Sequence, residues 1–202
     1  MDLTFLQSGL LIGMSIAAPI GPIGLLCIRR TLAEGRLSGI VSGLGAATAD
    51  AIFGCIAAFG LTVISGILID QQIWLRLAGG LLLSYLGIRI IRDNPGKQMA
   101  LAGGNCLIAS YVSALFLTLT NPMTIFSFAA FFASWDLASE PASSMSAWAL
   151  VSGVFIGSSL WWLILSITVG AFQEKIDEQG LTWVNRVSGA VITGFGLFAI
   201  LR

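Results

Sequence analysis

A single acidic residue, Asp50, lies inside the long apolar stretch of residues 39–69. A helix that enters a bilayer at Gly39 places Asp50 eleven residues deeper, about 16 Å along the helix axis. A carboxylate at that depth costs free energy, and such residues mark binding or proton-carrying sites by default. We therefore expect Asp50 to bind a substrate ammonium or a coupling proton. The alternative is a structural carboxyl that is protonated or bonded to a hydroxyl.

Prolines interrupt two other apolar stretches, at residues 18–22 and at residues 121–122. Each proline removes a backbone donor and clashes with the preceding helical turn. The freed carbonyl groups are tolerated at membrane depth only beside protein or a water-filled cavity. We expect both breaks to line a substrate path, and a plain kink is the alternative. The candidate binding residues are therefore Asp50, Thr48, Pro19, Gly21, Pro22, Thr118, Asn121 and Pro122.

The composition of the whole chain excludes a soluble domain. Of its 202 residues, 56% are hydrophobic and only 10% are charged, and the mean hydropathy is +0.93. Soluble domains carry about 25% charged residues, because their surfaces face water. Ten Lys/Arg balance ten Asp/Glu and no basic block stands out, so we expect no nucleic-acid partner.

The side chains that enzymes and metal sites need are scarce. The sequence has no histidine, and Cys27, Cys55 and Cys106 lie in apolar stretches without a CxxC spacing. No nucleophile with its base, phosphate-binding glycine loop or pair of catalytic carboxylates can be assembled from the remaining residues. We therefore expect a protein that is not an enzyme and that holds no cofactor or metal.

Charged residues divide the apolar sequence at five places, which leaves six apolar segments. About 20 apolar residues in a helix cross a bilayer core. The sequence therefore predicts an all-α, polytopic membrane protein with six transmembrane helices, and a polar turn at residues 29–38. The six segments are residues 3–28, 39–69, 73–91, 105–135, 147–172 and 187–201.

The distribution of Lys and Arg predicts the orientation of these spans. With the N-terminus outside, eight Lys/Arg lie on the cytoplasmic side, and only Arg76 and Arg202 lie on the outer side. Cytoplasmic loops of membrane proteins are enriched in Lys and Arg. We expect a cytoplasmic (inner) membrane protein with both termini on the outer side.

The two halves of the chain resemble each other. Residues 1–98 and 99–202 are thus predicted to be two three-helix repeats within one membrane domain. Because three is an odd number, the second repeat enters the membrane from the opposite side, which makes the repeat inverted. The aligned pairs include Gly80 with Gly189, Ser84 with Thr193 and Gly87 with Gly196 at a shift of 109 residues, and Gly43 with Gly153 and Thr48 with Ser158 at a shift of 110.

Glycines recur at helical spacings within the predicted spans. Small residues let helices approach closely in lipid, so we interpret these glycines as packing positions. Such faces also make a homodimer conceivable. Trp161 and Trp162 lie inside the fifth span, so one of them can face a cavity. The packing candidates are Gly39, Gly43, Gly80, Gly87, Gly153, Gly157 and Gly189.

Residues 18–61 resemble the opening repeat of the LysE/RhtB family of amino-acid exporters. In that family a Gly-Pro element, matched here by Gly21 and Pro22, precedes a basic turn and a glycine-rich helix with an acidic residue, matched by Asp50. Residues 75–92, LRLAGGLLLSYLGIRIIR, and 120–132, TNPMTIFSFAAFF, look like the family's third-span and fourth-span segments. Ile20 and Ala49 depart from the pattern, at the helix break and beside the acidic residue.

The resemblance implies secondary export of amino acids or related small zwitterions, driven by proton antiport. Two other classes share parts of the plan. A divalent-cation exporter of the same superfamily has to hold its ion with one intramembrane carboxylate and no histidine. A membrane thiol-redox carrier needs two equivalent cysteines beside the breaks, whereas Cys27 follows Pro22 by five residues and Cys106 precedes Pro122 by sixteen.

Overall fold

The computed structural model describes residues 3–19, 21–59, 72–92, 106–121, 124–128, 144–173 and 178–201. Within these ranges the regular structure is helical throughout, which confirms the all-α class. The helices are α1 (Leu3–Ala17), α2 (Pro22–Glu34), α3 (Arg36–Ala58), α4 (Gln72–Arg92), α5 (Leu107–Leu119), α6 (Ser144–Gly170) and α7 (Glu178–Leu201).

Three of the described helices, α3, α6 and Gln179–Leu201 of α7, are long and apolar enough to cross a bilayer. The helices α1 and α2 together make a fourth, bent by 81° at the break between them. The other two segments of the six-span prediction correspond to α4, which carries three arginines in 21 residues, and to α5, which is 13 residues long. The described residues therefore contain three or four candidate spans, and six remains a prediction.

The first apolar segment is divided by its prolines. The helix α1 ends at Ala17, and α2 begins at Pro22 after Gly21, with Pro19 in the bend between them. Proline suits the first position of a helix because its fixed φ is helical and its missing N–H needs no partner there. One apolar segment thus becomes two helices that meet at a sharp angle.

The prediction of a polar turn at residues 29–38 is wrong. The helix α2 continues to Glu34, and α3 begins at Arg36, so only Gly35 separates them. Gly35 has φ of 100°, a left-handed value that glycine adopts without a steric penalty. Arg29 and Arg30 are buried because polar groups of neighbouring helices receive their hydrogen bonds. Likewise, α7 begins at Glu178, nine residues before the predicted start of the last span.

Small residues bring the helices together. The helix α1 packs along α6, α3 packs between α5 and α6, and α4 packs along α7. At the crossing of α1 and α6, Gly9 and Gly13 face Gly153 and Gly157, and a Cβ on Gly157 would overlap the carbonyl of Leu10. Van der Waals contact between backbones replaces the hydrophobic driving force that lipid does not supply.

The other predicted packing glycines also lie against neighbouring helices. Gly39 lies against Thr31 of α2, and Gly43 lies against Trp162 of α6. Between α4 and α7, Gly80 lies against the carbonyl of Gly196, and Gly87 and Gly189 lie against each other's carbonyls.

The surface of α6 is apolar outside and polar inside. Its buried face carries Ser146, Ser158 and Ser166, whereas Ile164 and Ile167 of its exposed face are half accessible. Water-soluble helices have the opposite arrangement. A lipid phase around α6 accounts for the pattern, because apolar side chains then cost nothing on the outside and polar groups find partners inside.

The close approach of α1 and α6 predicts a stability difference between two glycine variants. Gly157→Ala places a methyl group against the Leu10 carbonyl, and we expect it to lower the free energy of unfolding by about 1–3 kcal/mol. Gly194→Ala, in α7, is the control, because a Cβ there meets nothing within 4 Å. Denaturant unfolding of the purified chain in detergent measures both, and equal destabilisation would contradict the packing.

Candidate functional site

Six of the eight candidate binding residues surround one cavity of about 60 Å³. The cavity lies where the break between α1 and α2 meets α3, α5 and α6. Its polar lining comes from Asp50, Thr118, Asn121 and Thr124. The candidates that line it are Pro19, Gly21, Pro22, Asp50, Thr118 and Asn121; Thr48 does not, and Pro122 lies outside the described residues.

Asp50 is the only carboxylate of the described residues that lines this cavity, and its side chain is 3% exposed. The hydroxyl of Ser158 in α6 donates a hydrogen bond to its Oδ2 atom at 2.6 Å. The indole Nε1 of Trp162 donates to the same serine oxygen at 3.1 Å. Among the described residues, no Lys or Arg forms an ion pair with Asp50. A relay of two donors therefore holds the carboxylate, whose negative charge lacks a cationic partner.

The wall opposite Asp50 is formed by the two helix ends. The helix α2 starts at the cavity with Gly21 as its N-cap and has no side-chain hydrogen bond to its first amides. At the end of α5, the backbone oxygen of Asn121 accepts bonds from Thr124 and Ile125 at 3.1 and 3.2 Å, which starts a new helical turn. Both breaks thus bring backbone groups and small polar side chains to the cavity, as the notion of a lined path requires.

Thr48 lies on a different side of α3 from the cavity. Its hydroxyl donates to the Leu44 carbonyl at 2.8 Å and accepts a hydrogen bond from the Tyr111 hydroxyl at 2.8 Å. Two residues on a helix are separated by about 200° around its axis, so Thr48 and Asp50 cannot share a face. Thr48 therefore connects α3 to α5 and does not border the cavity.

Sequence reasoning missed two partners of the site and left a third undecided. Ser158 and Thr124 were not among the candidate binding residues, and Trp162 was one of two tryptophans considered for the cavity. The repeat supplies a signal for Ser158, since a shift of 110 residues aligns it with Thr48. Serine is otherwise common on packed faces of membrane helices, so its type alone does not mark a site.

A second polar cluster surrounds Arg30 in α2, away from the cavity. Its Nη1 atom donates to the Ser42 hydroxyl and to the Ser110 carbonyl, both at 2.9 Å, and its Nη2 atom donates to the Ser113 hydroxyl at 2.8 Å. Arg30 is 8% exposed. One guanidinium thus connects α2 to α3 and α5.

The neighbouring Arg29 connects α2 to α7. It forms an ion pair with Glu34 at 2.6 Å, and its Nε atom donates to the side-chain oxygen of Asn185 at 3.2 Å. Ser38 donates to the other oxygen of Glu34 at 2.7 Å. The charge of Arg29 is therefore matched by a carboxylate within its own helix.

The described part of the chain contains no group of three or more His, Cys, Asp or Glu side chains that could hold a metal ion. Its cysteines are free: Cys27 is buried, Cys55 is half-buried and Cys106 is exposed. They belong to separate segments, α2, α3 and the start of α5.

The sequence model of the LysE type translocator family matches residues 14–202. This match covers the bent pair, the cavity and the Arg30 cluster, so the chain belongs to the LysE type translocators. Members of a translocator family are transporters by name and not enzymes.

Curated relatives are similar over almost their full lengths. The putative amino acid efflux protein YcgF of Bacillus subtilis is 25% identical over 195 residues, which is 95% of this chain and 92% of that protein. The threonine efflux protein of Escherichia coli is 22% identical over 214 residues, covering 100% of this chain and 99% of the relative. An uncharacterized Escherichia coli membrane protein, YahN, is 28% identical over 178 residues, 86% of this chain and 77% of its own. No solved structure matches the chain.

The hydrogen bond from Ser158 to Asp50 predicts different effects for two adjacent serines. Ser158→Ala removes the donor to a buried carboxyl group, and we expect the free energy of unfolding to fall by about 1–3 kcal/mol. Ser159→Ala is the matched control, because the Ser159 hydroxyl has no hydrogen-bond partner. Denaturant titration in detergent micelles compares them, and a Ser159 effect as large as that of Ser158 would rule out this role.

Proposed function

We propose that the protein exports small zwitterionic amino acids from the cytoplasm by proton antiport, with Asp50 as the coupling residue. The observation that carries this proposal is a buried carboxylate without a cationic partner, at the wall of a cavity formed by two helix breaks. Membership of a translocator family and relatives named for amino acid and threonine efflux support it.

Asp50 binds either a proton or a substrate ammonium in this mechanism. Leaving the carboxylate charged and unpaired in the bilayer is costly, so one cation departs as the other arrives. The Ser158 hydroxyl keeps the carboxylate facing the cavity in both cases. Exchange at a single carboxylate therefore links export of the amino acid to entry of a proton.

The rest of the cavity suits the other end of a zwitterion. The first amides of α2, at Ile23 and Gly24, line the cavity and have no side-chain cap. Helix N-termini favour negative groups such as carboxylates. The small volume of about 60 Å³ favours a compact substrate over a peptide.

We also propose that residues 1–98 and 99–202 are inverted repeats. Exchanging each helix for its repeat partner, α1 with α5, α3 with α6 and α4 with α7, turns the packing of α1 on α6 into that of α5 on α3. Both packings are present, and the pairs α3 with α6 and α4 with α7 exchange with themselves.

Individual contacts between α4 and α7 follow the same exchange. The shift of 109 residues turns the contact of Gly80 with Gly196 into that of Gly189 with Gly87, and both contacts occur. In the same way Ser84 lies against Gly196, and its partner Thr193 lies against Gly87. Such symmetry supports two exchangeable forms, open inward and open outward, around a site near the midplane.

Replacing the coupling carboxylate predicts a loss of proton-driven export. Asp50→Asn keeps the shape of the side chain but removes its charge, and we expect at least a tenfold slower export and no response to a pH gradient. Thr48→Val, two residues away on the same helix, is the control that should export normally. A growth-inhibition screen with each amino acid identifies the substrate, and proteoliposomes then measure its flux.

The proposal fails in either of two ways. Wild-type protein that exports no amino acid in the vesicles would remove the function itself. Asp50→Asn protein with the flux and pH dependence of the wild type would remove Asp50 from the mechanism and leave the function standing.

We further propose that both termini lie outside the inner membrane, as the excess of Lys and Arg on the other side suggests. Alkaline phosphatase fused after Arg202 should be active, and a fluorescent protein fused there should be dark. Fusions after Lys97, on the proposed cytoplasmic side, should give the reverse result. Matching signals at the two positions would contradict the odd number of spans between them.

A further inference from the structure

A second polar layer lies about 12 Å from the cavity along the same four helices. On each helix, a residue of the cavity site is followed or preceded by a polar residue eight positions away, which corresponds to about 12 Å at 1.5 Å per residue. The pairs are Pro22 and Arg30 on α2, Asp50 and Ser42 on α3, Thr118 and Ser110 on α5, and Ser158 and Ser166 on α6. We call Arg30, Ser42, Ser110 and Ser113 the Arg30 layer.

Arg30 is a buried cation that no carboxylate contacts among the described residues. Its hydrogen bonds go to two hydroxyls and one backbone carbonyl, all of them neutral. Burying a guanidinium without an anion costs free energy, and an apolar side chain of similar size would serve the packing better. The charge of Arg30 therefore calls for a role other than stability.

Buried donors without partners lie on two helices that pack against α2. The Ser166 hydroxyl of α6 is fully buried and has no hydrogen-bond partner. The Nδ2 atom of Asn185 in α7 is also unpartnered, and Asn185 is 1% exposed. Because Arg29 holds the side-chain oxygen of Asn185, the free amide is fixed beside the arginine pair. Unpaired buried donors are costly, and an anionic acceptor would satisfy them.

We propose that the Arg30 layer is a second substrate site, which binds the carboxylate of the exported amino acid. This inference rests on the proposed export function. The hydroxyls of Ser42 and Ser113 give way to two carboxylate oxygens, which a planar guanidinium binds through parallel N–H groups. The layer and the cavity thus have opposite charges, one for each end of a zwitterion.

The separation of the two sites makes their use sequential. A gap of about 12 Å is longer than the distance between the ammonium and carboxylate of an α-amino acid, so one molecule cannot bridge it. The Arg30 layer lies toward Gly35 and the α2–α3 junction, the side that the Lys and Arg distribution assigns to the cytoplasm. A substrate that enters from the cytoplasm meets Arg30 before it reaches Asp50.

Threonine and threoninamide are the probes that test this site, because they differ only in the carboxylate. Binding of each is measured with the purified full chain in detergent by calorimetry, and flux is measured separately in vesicles. We expect the wild type to bind threonine more tightly, and Arg30→Gln to weaken threonine by about tenfold or more while leaving threoninamide within about twofold. Arg92→Gln, an exposed arginine at the end of α4, is the control.

Ser113→Asp guards against a variant that merely misfolds. It places a carboxylate where Arg30 donates its Nη2 bond, so we expect threonine binding to weaken as in Arg30→Gln while the thermal midpoint does not fall. Equal binding of the two probes by the wild type, or an unchanged preference in Arg30→Gln, overturns the site. Preference without flux keeps the site and refutes export of threonine, whereas flux without a preference due to Arg30 does the opposite.

Discussion

The burial of Asp50 is the constraint on which the arrangement depends. A carboxyl group with 3% exposure needs a polar partner, and the Ser158 hydroxyl reaches it only if α3 and α6 lie nearly in backbone contact. Gly43 makes that approach feasible, because its missing side chain leaves room for Trp162, the residue that in turn orients Ser158. Chemistry at the site and packing of the two longest apolar helices are therefore the same requirement.

Much of the site could be predicted from the sequence, for physical reasons that are specific to lipid. A lone carboxylate and two proline breaks are expensive in an apolar phase, so their presence indicates a shared polar space, and the cavity brings five of those residues and Thr118 together. Ser158 escaped prediction because a serine on a helix costs little wherever it lies. Thr48 was misplaced because repeat alignment locates a level along the helix and says nothing about the side that it faces.

The region around Arg30 shows the limit of reading charges as surface. Two adjacent arginines followed by a glutamate and a glycine have the composition of an exposed turn. Their side chains are nevertheless buried, because serines on α3 and α5 and an asparagine on α7 accept their hydrogen bonds. Those partners lie up to 156 residues away along the chain, so no local pattern reveals them. The number of spans is subject to the same difficulty, since the arginines of α4 reduce its apolar character.

The packing of α1 on α6 has a consequence for biogenesis. Equivalent contacts in the two halves form at different moments of synthesis: α5 finds α3 already inserted, whereas α1 leaves the ribosome long before Ser144, where α6 begins. At usual translation speeds the delay is roughly ten seconds. During that time the glycine face of α1, at Gly9 and Gly13, has no helix to rest on. The nascent chain must therefore keep its first helix beside the insertion machinery until the fifth span arrives, and spatial symmetry coexists with a strict order of assembly.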